Sequence, residues 1–438
     1  MKKKIFALML ALVMVLGIAA ACSPPPEVPV APPADTPADT PETEDEDPPP
    51  PPAEPTGVTL EFWSNMGGTI DERLQEVIAM FTAETGIQVD YSAPAADYEA
   101  LMRTRMATND LPDVFTTHGW AVIRYGTFLR PLNDQPWYGQ VNDQIRGIVT
   151  DADGNLMVLP VDMDMAGMNY NKDIMAELGV NVADIRTWAD FEAVCEMVLA
   201  AGYTPFMLGG LDNWTLGQIA DWVIPSILIT YENDNHDQAL LDGTFDWNNW
   251  GVFYDKMADW RDRGFFNEDV LTADFATITA EMGRGNVAFG FFGNWAAVDA
   301  AGQGPANWGM MAIPAFFPGD EPSLIAGERL SVGVWNETPH EAEALMFLEF
   351  LARPEIMTML AEANASPAGF TGVEVDLGFL TEDVEGLAHI RTFPYFDRVW
   401  LPSGGWDLLC DNVFGILNRT LDREGAIAHM ENGVAALR

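Results

Sequence analysis

The sequence predicts an α/β protein of two lobes, and three observations predict it. First, the part after residue 56 opens in βαβα order, with helix-periodic stretches lying between strand-like ones, the pattern of a largely parallel sheet flanked by helices. Second, about 380 residues follow that point, too many for one hydrophobic core and natural for two. Third, 48% of the residues are hydrophobic and 14 are tryptophan, enough for well-packed cores with aromatics to spare.

The elements follow in order. Val58 to Trp63 alternates as a strand, and Ile70, Leu74, Val77, Ile78 and Phe81 recur at helical spacing up to Glu84, with Gly86 as the stop. Ile87 to Tyr91 reads as a strand, Tyr98 to Thr108 as a helix and Asp113 to Thr116 as a third strand. Leu156 to Pro160 forms a short strand leading to Asp162 and Asp164. Helices are predicted over 172–178, 188–201, 250–263 and 273–284, with strands over 286–292 and 308–314 and a loop over 317–321. A helical pair broken by Pro354 and two C-terminal helices, 406–421 and 423–437, complete the reading. No repeat of 20–50 residues is present, which removes solenoids and propellers.

Ahead of the folded part lies an address. Lys2 to Lys4 precede an apolar run from Ile5 to Ile18 that ends in Ala19-Ala20-Ala21-Cys22. The run is shorter than the roughly 20 residues of a spanning helix and is followed by polar coil, so residues 1–21 read as a removable secretory signal. From Ser23 to Thr56 proline and acidic residues dominate; carboxylate repulsion and fixed backbone angles make this a stiff solvated linker rather than a domain.

Net charge is −44, and three of the 22 basic residues belong to the signal, so the mature chain is more acidic still. Phosphate backbones would repel it, which excludes a nucleic-acid partner. Besides Cys22 there are Cys195 and Cys410, and the sequence leaves open whether they pair or stay as free thiols.

Several pieces in order resemble a known family. They are Leu60-Glu61-Phe62-Trp63-Ser64, Phe81 to Ile87, Leu111-Pro112-Asp113-Val114-Phe115, Leu159-Pro160 with Asn169-Tyr170-Asn171-Lys172-Asp173, Thr187-Trp188-Ala189-Asp190-Phe191, Met282 to Trp295, and Pro339 to Leu351. The chain resembles the extracellular solute-binding proteins of ABC importers, in the group that takes up sugars and oligosaccharides, and Ile18 to Cys22 resembles the bacterial lipoprotein box. The resemblance implies a type II periplasmic-binding-protein-like fold with mixed sheets and hinge strands. Lobe 1 would hold 57–163 plus 314–366, and lobe 2 would hold 164–313 plus 367–438. It further implies a lipid on Cys22, a 22–56 linker at the outer face of the cell membrane, permease subunits as partners, and a monomer without catalytic residues, metal or cofactor.

A sugar offers apolar C–H faces and hydroxyl protons, so its site needs aromatic platforms beside carboxylates or amides. The candidates are Trp63 with Asn65, His118 with Trp120, Asp162 with Asp164, Asp212 with Trp214, Trp295, Glu328, and Trp400 with Trp406. Trp295 leads, because the family places a stacking aromatic after the Gly-bounded strand; a core tryptophan at a strand end is the competing explanation. Trp63 is equally well explained by packing of the first strand. Two other functions compete. A surface carbohydrate-degrading enzyme would need two positioned carboxylates, which 66 acids do not exclude by count, although no His-Glu-x-x-His, Gly-x-Ser-x-Gly or phosphate loop is present. A binder for a non-sugar solute would use the same fold. Asp151 to Asn155 looks like the opening of a calcium loop, but glycine stands at its fourth position and not its sixth, so a turn is expected.

Overall fold

The computed structural model describes residues 56–94 and 98–438, so the signal segment, Cys22 and nearly all of the linker lie outside the described residues. The local rules act as expected at the start. Strand β1 (Thr59–Trp63) buries Leu60 and Phe62, and the helix Thr69–Thr85 turns Ile70, Leu74, Val77, Ile78 and Phe81 onto the sheet. That helix stops at Gly86, whose φ of 73° lets its N–H close on the Thr82 carbonyl.

Three sheets organise the chain. In the first, β2 (Gln88–Ser92), β1, β3 (Val114–Thr116), β11 (Ser331–Val334) and β4 (Leu159–Pro160) lie side by side in that order. β1 runs parallel to β2 and β3, and β11 is antiparallel to both of its neighbours. In the second, β7 (Thr204–Phe206), β8 (Val287–Gly290), β6 (Met168–Asn171) and β9 (Trp308–Met311) are neighbours, with β6 antiparallel to β8 and β9. Between them a three-stranded sheet of β12 (Thr392–Pro394), β10 (Leu324–Glu328) and β5 (Met163–Ala166) forms the hinge.

Each lobe owns one hydrophobic core. The first gathers residues between Leu60 and Met163 with most of those from Leu330 to Phe370, and the second gathers Ala166 to Ile325 with Ala365 and Leu377 to Val434. The chain therefore crosses between lobes three times, but two of the crossings differ from expectation. The return to lobe 1 falls between Glu328 and Ser331 and not at 314, because Phe316 packs on the second core and Asp320 accepts hydrogen bonds from Thr230 and Arg391 there. The final crossing falls between Phe370 and Leu377 and not at 366, since Ala368 and Phe370 belong to the first core. β10 and β11 escape detection because every residue in them is buried, which erases the alternation that marks a half-buried strand. The same reason hides the helix Trp214–Leu228, buried from Thr215 onward except at Gln218.

Cys195 and Cys410 are both free and buried. Asp151 folds its own loop, with its Oδ1 accepting from the backbone of Asp153 and Asn155. Among the described residues no group of three or more His, Cys, Asp or Glu is placed to hold a metal ion.

Candidate functional site

The cleft has a floor of hinge strands and two walls. From lobe 1 come the loops after β1 and β3. Asn65 is fixed by Thr116, whose hydroxyl donates to Asn65 Oδ1 at 2.8 Å and accepts from the Asn65 N–H at 3.1 Å. His118 sits at φ 44°, a left-handed conformation shared by Gly119, and the Arg398 guanidinium lies where a side chain on Gly119 would be. Burial first, and then the Arg398 and Arg329 cations, hold His118 neutral with its pKa pushed down to about 3. Trp120 donates its indole N–H to Asp397 in lobe 2 at 2.8 Å. Trp63 is covered by the Arg105 guanidinium at 4.8 Å and packs on the first core, so it serves the lobe rather than the cleft.

Lobe 2 supplies the aromatics. Trp295 lies in the first turn of the helix Asn294–Gln303, with Phe275, Trp214 and Phe292 at 5.4, 5.8 and 6.1 Å between ring centroids. Asp212 braces this group by accepting the Phe275 N–H at 2.8 Å. Trp406 faces Trp120 across the lobes at 6.3 Å. Trp400, expected beside it in the site, is a core residue: it is 5% exposed, stacks on Phe396 at 5.7 Å and donates to Asp237.

The floor carries the buried charges. Asp164 accepts from the Tyr395 hydroxyl at 2.8 Å through Oδ2, while its Oδ1 has no partner; Arg329 Nη1 stands 4.0 Å from it. Glu328 is wholly buried, neither carboxylate oxygen is bonded, and Arg398 Nη1 is 3.9 Å away. Burial pushes the Glu328 pKa up to about 7. Asp162, expected as a ligand contact, is spent within the fold: Leu330 N–H donates to one oxygen at 2.6 Å and Asn364 to the other at 2.7 Å. Fully buried, it ties the first crossing to the second, and burial raises its pKa to about 6.

The expectations missed Arg329, Tyr395, Asp397 and Arg398. Basic residues are scarce in so acidic a chain, and two of them flanking the hinge was the available signal. The lobes meet in this structure. Beside the Trp120 to Asp397 bond, Arg103 and Asp407 approach to 3.8 Å, and the pocket shared by Gly67, Trp295, Asp299 and Arg329 holds only about 30 Å³. Ligand pockets usually span about 300–1,000 Å³, so a large solute requires the lobes to part.

Glu328 yields a pH prediction. A carboxyl raised from 4.5 to about 7 on folding is protonated more readily in the native state, so its contribution to stability is present in full below 4.5 and is lost as pH rises through 7. Glu328→Gln is expected to flatten the melting-temperature profile between pH 4.5 and 7; an unaltered slope would assign that dependence to other acids.

Residues 63–358 match the family described as bacterial extracellular solute-binding protein. The chain belongs to that family. Among its relatives is the melibiose/raffinose/stachyose-binding protein MelE of Bacillus subtilis, 33% identical over 358 residues, which are 80% of this chain and 83% of that one. A sugar transporter of Bacillus licheniformis, solved in complex with stachyose, superposes with a TM-score of 0.80 at 30% identity, covering 87% of this chain and all of the other. A binding protein of Bacillus subtilis in an open conformation reaches 0.78 at 30% identity, covering 87% of this chain and 97% of that one. These relatives carry the names of a sugar-binding protein, a sugar transporter and a binding protein. Membership in the solute-binding family places this protein outside the cytoplasm, in the extracellular or periplasmic space.

Proposed function

We propose that this solute-binding protein captures a neutral oligosaccharide of the raffinose series in the cleft and delivers it to the permease of an ABC importer. The observation that carries the reading is the unpartnered Oδ1 of Asp164 on the hinge floor, in the same cleft as the lobe 2 aromatics around Trp295. An orphan buried acceptor costs roughly 1–3 kcal/mol, and a sugar hydroxyl would relieve that cost while the ring lies on the indole. In this reading Asn65, His118, Trp120, Trp214, Glu328 and Trp406 complete the site, and the relatives named for melibiose, raffinose or stachyose support the ligand class. In this reading the protein acts as a monomer and performs no chemistry on its ligand. A lipid on Cys22 holds it to the membrane through the proline-rich linker.

Calorimetry with residues 56–438 tests the proposal. Melibiose, raffinose and stachyose are titrated in turn, and at least one is expected to bind one-to-one at micromolar affinity or tighter and to be recovered intact. No heat from any of them overturns the ligand class, and hydrolysis of the sugar overturns the transport role. Mass spectrometry of the full chain from membranes, finding an unmodified Cys22, would refute the anchor.

A further inference from the structure

Trp295 is covered on both sides. Trp214, Phe275 and Phe292 pack around it within lobe 2, and the Arg329 guanidinium carbon lies over its ring at 4.7 Å. Arg329 belongs to the turn between β10 and β11, so the cation on the platform comes from the hinge and not from the lobe that carries the tryptophan. It is loosely held. Its Nε has no partner, and its Nη1 is 4.0 Å from Asp164 Oδ1, beyond hydrogen-bonding range. Asp299, exposed at the rim of the same pocket, feels the same positive charge.

We infer that Arg329 is a built-in occupant of the Trp295 face, which a ligand has to displace, and that it thereby selects ligands offering an apolar C–H face and a hydroxyl together. The inference rests on the proposal that the ligand is a sugar. A planar cation on an indole and a carboxylate at 4 Å mimic the two contacts a hexose would make, one apolar and one polar. A solute that satisfies the indole alone leaves Asp164 with a half-satisfied buried charge and an arginine without a seat. A solute that satisfies Asp164 alone never reaches the indole. An oligosaccharide replaces both contacts in one event, and the released guanidinium retains Asp299 as a nearby counter-charge.

Arg329→Ala is therefore expected to bind stachyose about fivefold more tightly than the native protein, the factor set by a cation–π contact in a partly desolvated site. Guanidinium chloride at low millimolar concentration should reoccupy the vacated seat in the variant and return the affinity to the native value, with no such effect on the native protein. Unchanged or weaker binding by the variant overturns the inference, weaker binding marking Arg329 as a direct ligand contact. Thermal melting without sugar separates this outcome from failure of the ligand class. If no sugar binds the native protein, guanidinium should still raise the melting temperature of Arg329→Ala and lower that of the native chain. A drop in both discards the seat itself.

Discussion

Trp295→Ala is expected to lower the affinity for stachyose roughly a hundredfold, the loss typical of a central aromatic anchor, while the protein stays folded. The side chain is only partly buried, and it borders lobe 2 through Phe275, Phe292 and Trp214, which remain packed on one another at 4.9 Å for Trp214 with Phe275 and 5.5 Å for Phe275 with Phe292. Its removal should therefore cost little stability and most of the binding surface. The variant also removes the seat of Arg329, so part of the loss is offset, and Trp295→Ala combined with Arg329→Ala should bind no more weakly than Trp295→Ala alone. Calorimetry gives the affinity and a melting curve gives the fold. Affinity within threefold of native, on the same melting curve, would remove Trp295 from the site.

The largest effect on stability is expected inside lobe 2. Trp188 is 1% exposed, lies 5.3 Å from Trp260 and 5.4 Å from Phe191 between ring centroids, and donates its indole N–H to Ser226 at 2.8 Å. Trp188→Ala leaves a large cavity, costing about 3–5 kcal/mol by precedent of buried aromatic deletions. Urea unfolding followed by near-UV circular dichroism should show the lobe 2 aromatics lost at lower denaturant than in the native chain. A change below about 1 kcal/mol would mean that Phe191, Trp260 and Phe291 collapse into the space.

Much of this was legible in the residues. The amphipathic helices 69–85, 98–108 and 172–178 and the alternating β1 announce themselves by period, since each shows one face to water. Thr187 and Asp190 even write the capping box that begins the helix Trp188–Ala200. Elements covered on all sides carry no such signature, which is why β10, β11 and the helix from Trp214 were silent. The site divides along the same line. Trp295 and Asp164 stand out as candidates because residue type and position coincide, whereas Asp162, two residues before Asp164, reads identically in sequence and differs only in what surrounds it. Asp162 meets Leu330 and Asn364, and Asp164 keeps an oxygen free. Arg329 and Arg398 acquire their roles from partners on other strands and helices, an arrangement that no local pattern encodes.

The place of β11 inside the first sheet has a temporal side. β3 ends at Thr116 and the strand that must lie against it begins at Ser331, so β4 has no sheet neighbour until residues 331–334 exist. Every strand of the second sheet, β6 to β9, precedes them in the chain. A newborn chain must hold an unfinished sheet with an open flank while the later one assembles, and such contacts between distant segments form slowly. Of the two lobe sheets, the one begun first is completed last.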